Sequence, residues 1–247
     1  MRAMILAAGL GTRLRPLTDN RPKALVEIAG RTLLAITLSR LREFGIRDVI
    51  INVHHYADMI ADYLERNKNF GMHIELSREE VLLDTGGGLK NASYFFLGDS
   101  PSSQEPFLMH NVDVISTIDL RQMIEFHIEN KALATLAVQK RKTSRNLLFD
   151  DQLQLCGRWV RNEHETGFAQ SSRQALAFAG IHIVSPRLFA MMSESGIFSI
   201  ITSYLRLAEQ GERILAFRAD EYYWRDLGTP ESVRQASRDL KEKALLQ

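Results

Sequence analysis

Two glycines and several cations follow the first apolar segment of the chain. Gly9 and Gly11 lack a Cβ atom, so the backbone N–H groups of this turn can approach an anion closely. Arg13, Arg15 and Lys23 place positive charge in the same short stretch, and guanidinium and ammonium groups are common ligands of phosphate. The spacing therefore predicts a loop that binds phosphate groups.

The better-known phosphate loops do not fit these residues. A P-loop requires a Lys-Ser or Lys-Thr pair after its last glycine, and a dinucleotide fingerprint requires a third glycine where Leu14 stands. Without further context, a Gly-x-Gly-x-Arg turn is more often a tight connection beside solvated arginines. The loop alone leaves both interpretations open.

The size and composition of the chain fit one large folding unit. It has 247 residues, 45% of them hydrophobic, and a formal net charge of +1, which gives no global field for nucleic acid or an anionic membrane. No apolar stretch approaches the roughly 18 residues of a membrane span. Cys156 is the only cysteine, which excludes an intramolecular disulfide and fits a reducing compartment. We expect a single cytoplasmic domain over residues 1–247 that binds neither nucleic acid nor membrane.

Strand-like and helix-like segments alternate along the chain, which is typical of a mainly parallel sheet covered by helices on both faces. Ligands of such sheets bind at the carboxyl ends of the strands, where the glycine loop lies. Polar turns between 141 and 174 predict hairpins or a lid. The predicted strands are 3–7, 48–53, 72–77, 106–110, 132–139, 176–184, 213–218 and 222–226, and the predicted helices are 32–44, 57–66, 89–96, 120–130, 199–209 and 230–246.

The opening loop resembles the signature of the sugar-1-phosphate nucleotidyltransferases. That signature reads approximately L-A-[AG]-G-x-G-[TE]-R-[LM]-x-P-L-T and then P-K-x-L, and this chain reads LAAGLGTRLRPLT and then PKAL. The resemblance is strongest for the subgroup that acts on N-acetylmuramate or mannose 1-phosphates. It implies a Rossmann-like (GT-A-like) α/β fold with a small irregular β or lid insertion. It continues over almost the whole chain, through Gly30–Leu34, Ile51–His55, Leu83–Gly88, Asn111–Asp113 and Trp224–Glu231.

The resemblance implies transfer of a nucleotidyl group from a nucleoside triphosphate, with UTP or GTP favoured, to a sugar 1-phosphate. Arg13 matches the family's arginine for the departing β- and γ-phosphates, and Lys23 matches the lysine between the α-phosphate and the sugar phosphate. Asp113 and Asp226 match two aspartates that hold Mg²⁺, the implied cofactor, although single aspartates at such places are also common as caps or turn residues. The implied nucleotide-binding residues are Leu6, Ala8, Gly9, Gly11, Thr12, Arg13, Glu79, Thr85 and Gly86, and the implied sugar-phosphate residues are Lys23, Asn111, Glu163 and Gly180.

The chain departs from the family pattern at two places. Val112 stands where many relatives have glycine, and its branched side chain is expected to narrow a neighbouring pocket. The Glu-Lys-Pro motif through which several relatives hold the sugar phosphate is absent. The base, the sugar and the oligomeric state, with a homodimer among the options, therefore stay open.

Two other functions compete with this interpretation. A cytidylyltransferase for a non-sugar phosphate such as phosphocholine would need an aromatic cage, for which Phe168, Tyr222, Tyr223 and Trp224 are available. A regulatory protein that binds nucleotide or sugar phosphate without turnover would be marked by loss of Lys23 or of an aspartate. All of these residues are present.

Overall fold

The computed structural model describes residues 1–97, 105–160, 166–167 and 173–243. Strands alternate with helices through the first half of the chain, as predicted. The strands are β1 (Arg2–Leu6), β2 (Glu27–Ile28), β3 (Arg31–Thr32), β4 (Asp48–Val53), β5 (His73–Arg78), β6 (Phe107–Asn111), β7 (Val114–Ser116), β8 (Ala134–Gln139), β9 (Arg145–Phe149), β10 (Leu155–Val160), β11 (Thr166–Gly167), β12 (Gln174–Val184), β13 (Ile214–Arg218) and β14 (Trp224–Asp226). The helices are α1 (Leu33–Glu43), α2 (Ala57–Arg66), α3 (Asp84–Asn91), α4 (Ser93–Leu97), α5 (Leu120–Glu129), α6 (Leu188–Met191), α7 (Ile200–Glu209) and α8 (Pro230–Lys243).

The main sheet has the strand order β11-β10-β9-β12-β6-β1-β4-β5, and β8 pairs with both β12 and β13. β6, β1, β4 and β5 are parallel, as is the β8–β13 pair. β12 runs antiparallel to β6 and β8. The carboxyl ends of β1, β4 and β6 therefore meet at one edge, and the predicted α/β fold class is confirmed.

Helices cover both faces of this sheet. On β1, Ala3 and Ile5 face one core together with residues of α1, α2, α5 and α8, whereas Met4 and Leu6 face a second core with residues of α3, α4 and α7. A central strand buried on both faces explains why the run over 3–7 is apolar at every position.

The stretch that the sequence predicts as hairpins or a lid contains antiparallel strands. β9 pairs with both β10 and β12, so these strands extend the main sheet beyond β12. The hairpin expectation is confirmed for this part, while residues 161–165 and 168–172 lie outside the described residues.

The predicted helix over 89–96 differs from the observed structure in where it begins and in being divided into two helices. Asp84 begins α3, and a second short helix, α4, follows it. Three consecutive glycines have low helix propensity, so the sequence pattern hides this first turn. The glycines are needed for packing, since a Cβ at Gly87 would lie 2.5 Å from the carbonyl oxygen of Gly196. In the part of the chain that the structure describes, no helix combines the length and apolar character needed to cross a membrane.

Candidate active site

The loop after β1 bends around a glycine in the left-handed region. Gly11 has a φ of +66°, and a Cβ there would lie 3.0 Å from the Cγ2 of Thr18. Thr18 Oγ1 donates a hydrogen bond to the Gly11 carbonyl oxygen at 2.8 Å, and the Leu14 N–H donates to the same oxygen at 2.9 Å. The loop is therefore fixed by its own hydrogen bonds and holds Arg13 just beyond the turn.

Lys23 lies against this loop and forms an ion pair with Asp113. Its Nζ is 3.0 Å from Asp113 Oδ2, and the two side chains are only 14% and 9% exposed. A Cβ at Gly9 would lie 3.4 Å from the same Nζ. That distance is ordinary van der Waals contact, so the ammonium group packs directly beside the backbone at the carboxyl end of β1.

The short β7–β14 ladder brings the two predicted metal ligands together. Asp226 of β14 pairs with Val114 of β7, the residue directly after Asp113. The Leu227 N–H donates to the Asp113 carbonyl oxygen at 2.8 Å, and the Gly228 N–H donates to Asp226 Oδ1 at 2.9 Å. The two aspartates, distant in sequence, are neighbours in the fold.

Arg13 and Asp226 both lie close to the backbone of Gly228. A Cβ built on Gly228 would lie 2.7 Å from Arg13 Nη2 and 2.7 Å from Asp226 Oδ1. The guanidinium and the carboxylate therefore both border a space that a side chain at position 228 would fill. Together with the Lys23–Asp113 ion pair, this arrangement places two cations and two carboxylates at one edge of the sheet.

These four side chains line a cavity of about 400 Å³, called the inner cavity below. Most of the residues predicted to bind the nucleotide line it too, whereas Gly11, Thr12 and Gly86 do not. The predicted site residues that line the inner cavity are Leu6, Ala8, Gly9, Arg13, Lys23, Glu79, Thr85, Asn111, Asp113 and Asp226.

Glu79 supports the far wall of the inner cavity. Its Oε1 accepts a hydrogen bond from Asn52 Nδ2 at 2.7 Å, and its Oε2 accepts one from the Leu83 N–H at 3.0 Å. Asn52 Oδ1 accepts from the Ala7 N–H at 2.8 Å, so both polar atoms of this amide hold protein groups. Glu79 and Asn52 therefore link the β1 loop to the segment before α3.

Thr85 and Gly86 anchor the start of α3 to a neighbouring loop. Thr85 Oγ1 accepts from the Ile200 N–H at 3.0 Å, and the Gly86 N–H donates to the Phe198 carbonyl oxygen at 2.9 Å. A Cβ at Gly86 would overlap the ring of Phe198. The glycine at position 86 is therefore explained by helix packing.

A second, larger cavity of about 920 Å³, called the outer cavity, joins the inner one. Both are lined by Arg13, Asn111 and Asp226. Gly180 lies in the wall of the outer cavity with a φ of +75°, and a Cβ there would lie 2.9 Å from Asn111 Nδ2. Two of the predicted sugar-phosphate residues thus lie together, while Glu163 is outside the described residues.

Val112 does not have the effect expected from its side chain. It is only 1% exposed and belongs to the hydrophobic core on one face of the sheet. Neither cavity has it in its lining. The expectation that Val112 narrows a neighbouring pocket is wrong, because its side chain packs into the core.

The aromatic residues weighed for a choline cage are mostly used elsewhere. Tyr222 donates to Gln122 and Tyr223 donates to Asp239, whereas Trp224 lines the outer cavity. The Trp224 ring is covered by the guanidinium of Arg141, whose Cζ is 3.8 Å from the ring centroid. Within the described residues, which exclude Phe168, these rings do not enclose a common space.

Arg141 is the main residue of the outer cavity that the sequence does not predict. Its Nη2 donates to the Phe178 carbonyl oxygen at 2.7 Å. Burial lowers the pKa of its guanidinium, and the charge of Asp226 opposes that shift. Arg141 lies in a polar stretch that matches no motif, so no signal in the sequence marked it.

Four carboxylates line the inner cavity. Both oxygens of Glu79 and one of Asp84 accept hydrogen bonds from protein N–H groups, which leaves Asp113 and Asp226 as the carboxylates best placed for a divalent cation. Among the described residues, no group of three or more His, Cys, Asp or Glu side chains is placed to hold a metal ion. Mg²⁺ prefers oxygen ligands and is often bound by one or two carboxylates together with substrate phosphates. Asp113 and Asp226, facing one cavity, fit that donor set.

Comparisons with known proteins agree on one family. Residues 2–147 match the family model described as "Nucleotidyl transferase". The chain is 32% identical to the N-acetylmuramate alpha-1-phosphate uridylyltransferase of Caulobacter vibrioides over 97% of both chains. It is 28% identical to the D-glycero-alpha-D-manno-heptose 1-phosphate guanylyltransferase of Aneurinibacillus thermoaerophilus over 98% of this chain and 99% of that one. HddC from Yersinia pseudotuberculosis, solved in complex with GMP-PN, has the same fold, with a TM-score of 0.76, 23% identity and coverage of 97% of this chain and 99% of that chain.

Proposed function

This chain belongs to the nucleotidyl transferase family, and we propose that it catalyses Mg²⁺-dependent transfer of a nucleotidyl group from a nucleoside triphosphate to a sugar 1-phosphate. An oxygen of the sugar phosphate attacks the α-phosphorus. The bond from that phosphorus to the bridging oxygen breaks, and pyrophosphate leaves with the electron pair. The products are a nucleotide sugar and pyrophosphate.

The observation that carries this proposal is the convergence of Arg13, Lys23, Asp113 and Asp226 on the inner cavity. Phosphoryl-type transfer is accelerated chiefly by alignment of the reactants and by stabilisation of charge on phosphate oxygens. A glycine-lined loop with two cations supplies that stabilisation. The loop also lies at the carboxyl ends of parallel strands, where α/β folds bind their ligands.

Arg13 and Lys23 are assigned to different phosphates. The planar guanidinium of Arg13 can bind two oxygens at once and suits the pyrophosphate that departs. Lys23 is a compact charge that suits the position between the α-phosphate and the incoming sugar phosphate. The Nζ of Lys23 is paired with Asp113, and on this proposal Lys23 exchanges that carboxylate for phosphate when substrates bind.

Asp113 and Asp226 are assigned to Mg²⁺. When bound, the ion neutralises charge on the phosphate oxygens. The two carboxylates would be its protein ligands. The Gly228 N–H donates to the Asp226 carboxylate, and the Leu227 N–H holds the main chain of Asp113 through its carbonyl oxygen. Asp113 becomes available once Lys23 turns to the phosphates.

The relatives support UTP or GTP as the nucleotide and a 1-phosphorylated sugar as the acceptor. The N-acetylmuramate and heptose enzymes are named for uridylyl and guanylyl transfer, respectively. We assign the triphosphate to the inner cavity and the sugar to the outer cavity, since they share Arg13, Asn111 and Asp226.

Pyrophosphate release tests the proposal. The purified chain is incubated with ATP, CTP, GTP, TTP or UTP and with each of several sugar 1-phosphates or phosphocholine, in Mg²⁺ or in EDTA. We expect release with UTP or GTP and a sugar 1-phosphate, in Mg²⁺ alone, and its loss in the Asp113→Asn variant. Release with CTP and phosphocholine would favour the cytidylyltransferase. Tight nucleotide binding without release for any pair would favour a regulatory protein.

A further inference from the structure

Arg141 carries a charge in the outer cavity that the protein itself does not balance closely. Among the described residues, no carboxylate lies within ion-pair distance of its guanidinium. Its Nε is buried and has no hydrogen-bond partner there, although a buried donor of this kind is normally satisfied. The protein therefore leaves the guanidinium incompletely satisfied, and the side chain lines the outer cavity, where an anion can approach it.

The guanidinium is also held in place before any ligand binds. It lies over the Trp224 ring at 3.8 Å, and its Nη2 donates to the Phe178 carbonyl oxygen. Trp224 is fixed in turn, because its Nε1–H donates to the Ala179 carbonyl oxygen at 2.7 Å. A stacked, planar cation presents its remaining N–H groups in a fixed direction. Such a group selects a ligand by the position of its oxygens.

The outer cavity adjoins the reacting centre. Arg141 and Trp224 share its wall with Arg13 and Asp226, which also line the inner cavity. Arg225, another cation in this wall, is paired with Asp239 at 2.8 Å, so it is less available for a ligand. Arg145 also lies in this wall, but it is exposed. Among the described residues, Arg141 is therefore the partly buried cation without an ion pair that the anionic group of an acceptor in the outer cavity can approach.

We propose that Arg141 binds an oxyanion of the sugar 1-phosphate acceptor and so positions that acceptor and sets its specificity. This inference rests on the proposed function. The oxyanion is either the 1-phosphate itself or an acidic substituent elsewhere on the sugar, and both have the charge and the oxygens that a guanidinium recognises.

Steady-state kinetics of pyrophosphate release test this role. Arg141→Met keeps much of the side-chain length and removes the charge, and Arg141→Lys keeps the charge without the planar group. We expect Arg141→Met to raise KM for the sugar 1-phosphate at least tenfold and to leave KM for the nucleotide within about twofold. The Lys variant should recover part of the loss. Arg187→Met, which removes a half-exposed arginine paired with Glu212, is the control and should change neither constant.

The choice of acceptor separates the two sources of the oxyanion. If Arg141 binds the 1-phosphate, KM rises by the same factor for mannose 1-phosphate and for the carboxylate-bearing N-acetylmuramate 1-phosphate. If it binds an acidic substituent, KM rises for the second acceptor only. Equal increases in the KM of nucleotide and acceptor, or no increase in either, would overturn the proposal.

A binding measurement separates this inference from the proposed function. In a Trp159→Phe background, Trp224 is the remaining tryptophan, and its fluorescence reports on the stacked guanidinium. Inorganic phosphate, mannose 1-phosphate and N-acetylmuramate 1-phosphate serve as probes. A saturable change that Arg141→Met abolishes supports the role of Arg141 even if no nucleotide is turned over. No change with any probe contradicts it even in an active enzyme.

Discussion

Gly228 is the position where a single methyl group should damage the site without unfolding the protein. A Cβ there would lie 2.7 Å from both Arg13 Nη2 and Asp226 Oδ1, whereas ordinary van der Waals contact begins at 3.4 Å, so each contact must lengthen by about 0.7 Å. Gly228 does not have a positive φ, so Gly228→Ala adds little backbone strain. The substitution therefore acts mainly by moving the guanidinium and the carboxylate.

The size of the effect follows from that displacement. Misplacement of a catalytic group by about 1 Å can lower a rate about a hundredfold. We expect Gly228→Ala to lower kcat/KM by about 10- to 100-fold, which corresponds to ~1.4 to 2.8 kcal/mol of transition-state stabilisation. The larger Gly228→Ser should cause a greater loss, because its hydroxyl needs additional space.

Pyrophosphate-release kinetics and thermal denaturation together check this expectation. Gly211, between α7 and β13, has a φ of +90° and nothing within 4 Å of a built Cβ. Gly211→Ala is therefore the control. It should lower the Tm, because alanine is strained at a positive φ, and it should leave kcat/KM unchanged. The reasoning is refuted if Gly228→Ala keeps kcat/KM within twofold of the wild type. It is also refuted if the loss of activity is fully explained by a smaller fraction of folded protein.

Lys23→Ala and Asp113→Asn should each lower kcat at least about a hundredfold, because ~3 kcal/mol of lost charge stabilisation gives that factor. Single-turnover rates of the folded variants check this prediction. Thr32→Ala should lower the free energy of unfolding by ~1 to 2 kcal/mol, because the Thr32 side chain caps α1. Urea denaturation measures this loss, and the control Thr32→Ser, which keeps the hydroxyl, should retain most of the wild-type free energy of unfolding. Burial lowers the pKa of His110 to about 4 and that of His182 to about 3. The unfolded chain therefore binds protons below pH ~6.5 that the folded chain does not, and each histidine should reduce the free energy of unfolding by about 1 kcal/mol per pH unit between pH 6 and 4. Unfolding curves at pH 7, 6 and 5 that coincide would contradict this, and His182→Phe should give a shallower dependence.

The opening loop is the part of the site that the sequence predicts best. Its glycines and cations are contiguous, and its place after a buried strand follows from the apolar run before it. Lys23 and Arg13 accordingly lie at the edge of the sheet where the pattern puts them. Local conformation and strand order suffice for that result.

The convergence of the two aspartates depends on structure that no periodicity reveals. β7 and β14 contain three residues each, too few for an alternating pattern to be recognised. Their pairing nevertheless sets Asp226 beside Asp113. The same limit applies to Arg141, because its partner Trp224 lies far along the chain and their stacking belongs to no spacing motif.

The role of the glycines could not be predicted in the same way, because the sequence does not show which group packs against the backbone at each glycine. The resemblance to the family assigned Gly86 to nucleotide binding. In the fold, a Cβ at Gly86 would overlap the ring of Phe198, and a Cβ at Gly88 would lie 2.6 Å from Glu79 Oε1. At least two of these glycines thus serve packing between protein groups.

The Lys23–Asp113 ion pair links the stability of the site to its chemistry. Both side chains are largely buried, so removal of one partner leaves the other charge poorly solvated. In the folded protein, the attraction between the two opposite charges therefore offsets the cost of keeping each of them partly desolvated. In the proposed reaction, Lys23 would exchange the Asp113 carboxylate for a phosphate, and most of the cost of removing its ammonium group from water would already be met. The same exchange frees a carboxylate next to Asp226, so substrate binding and the formation of the proposed Mg²⁺ site should strengthen one another.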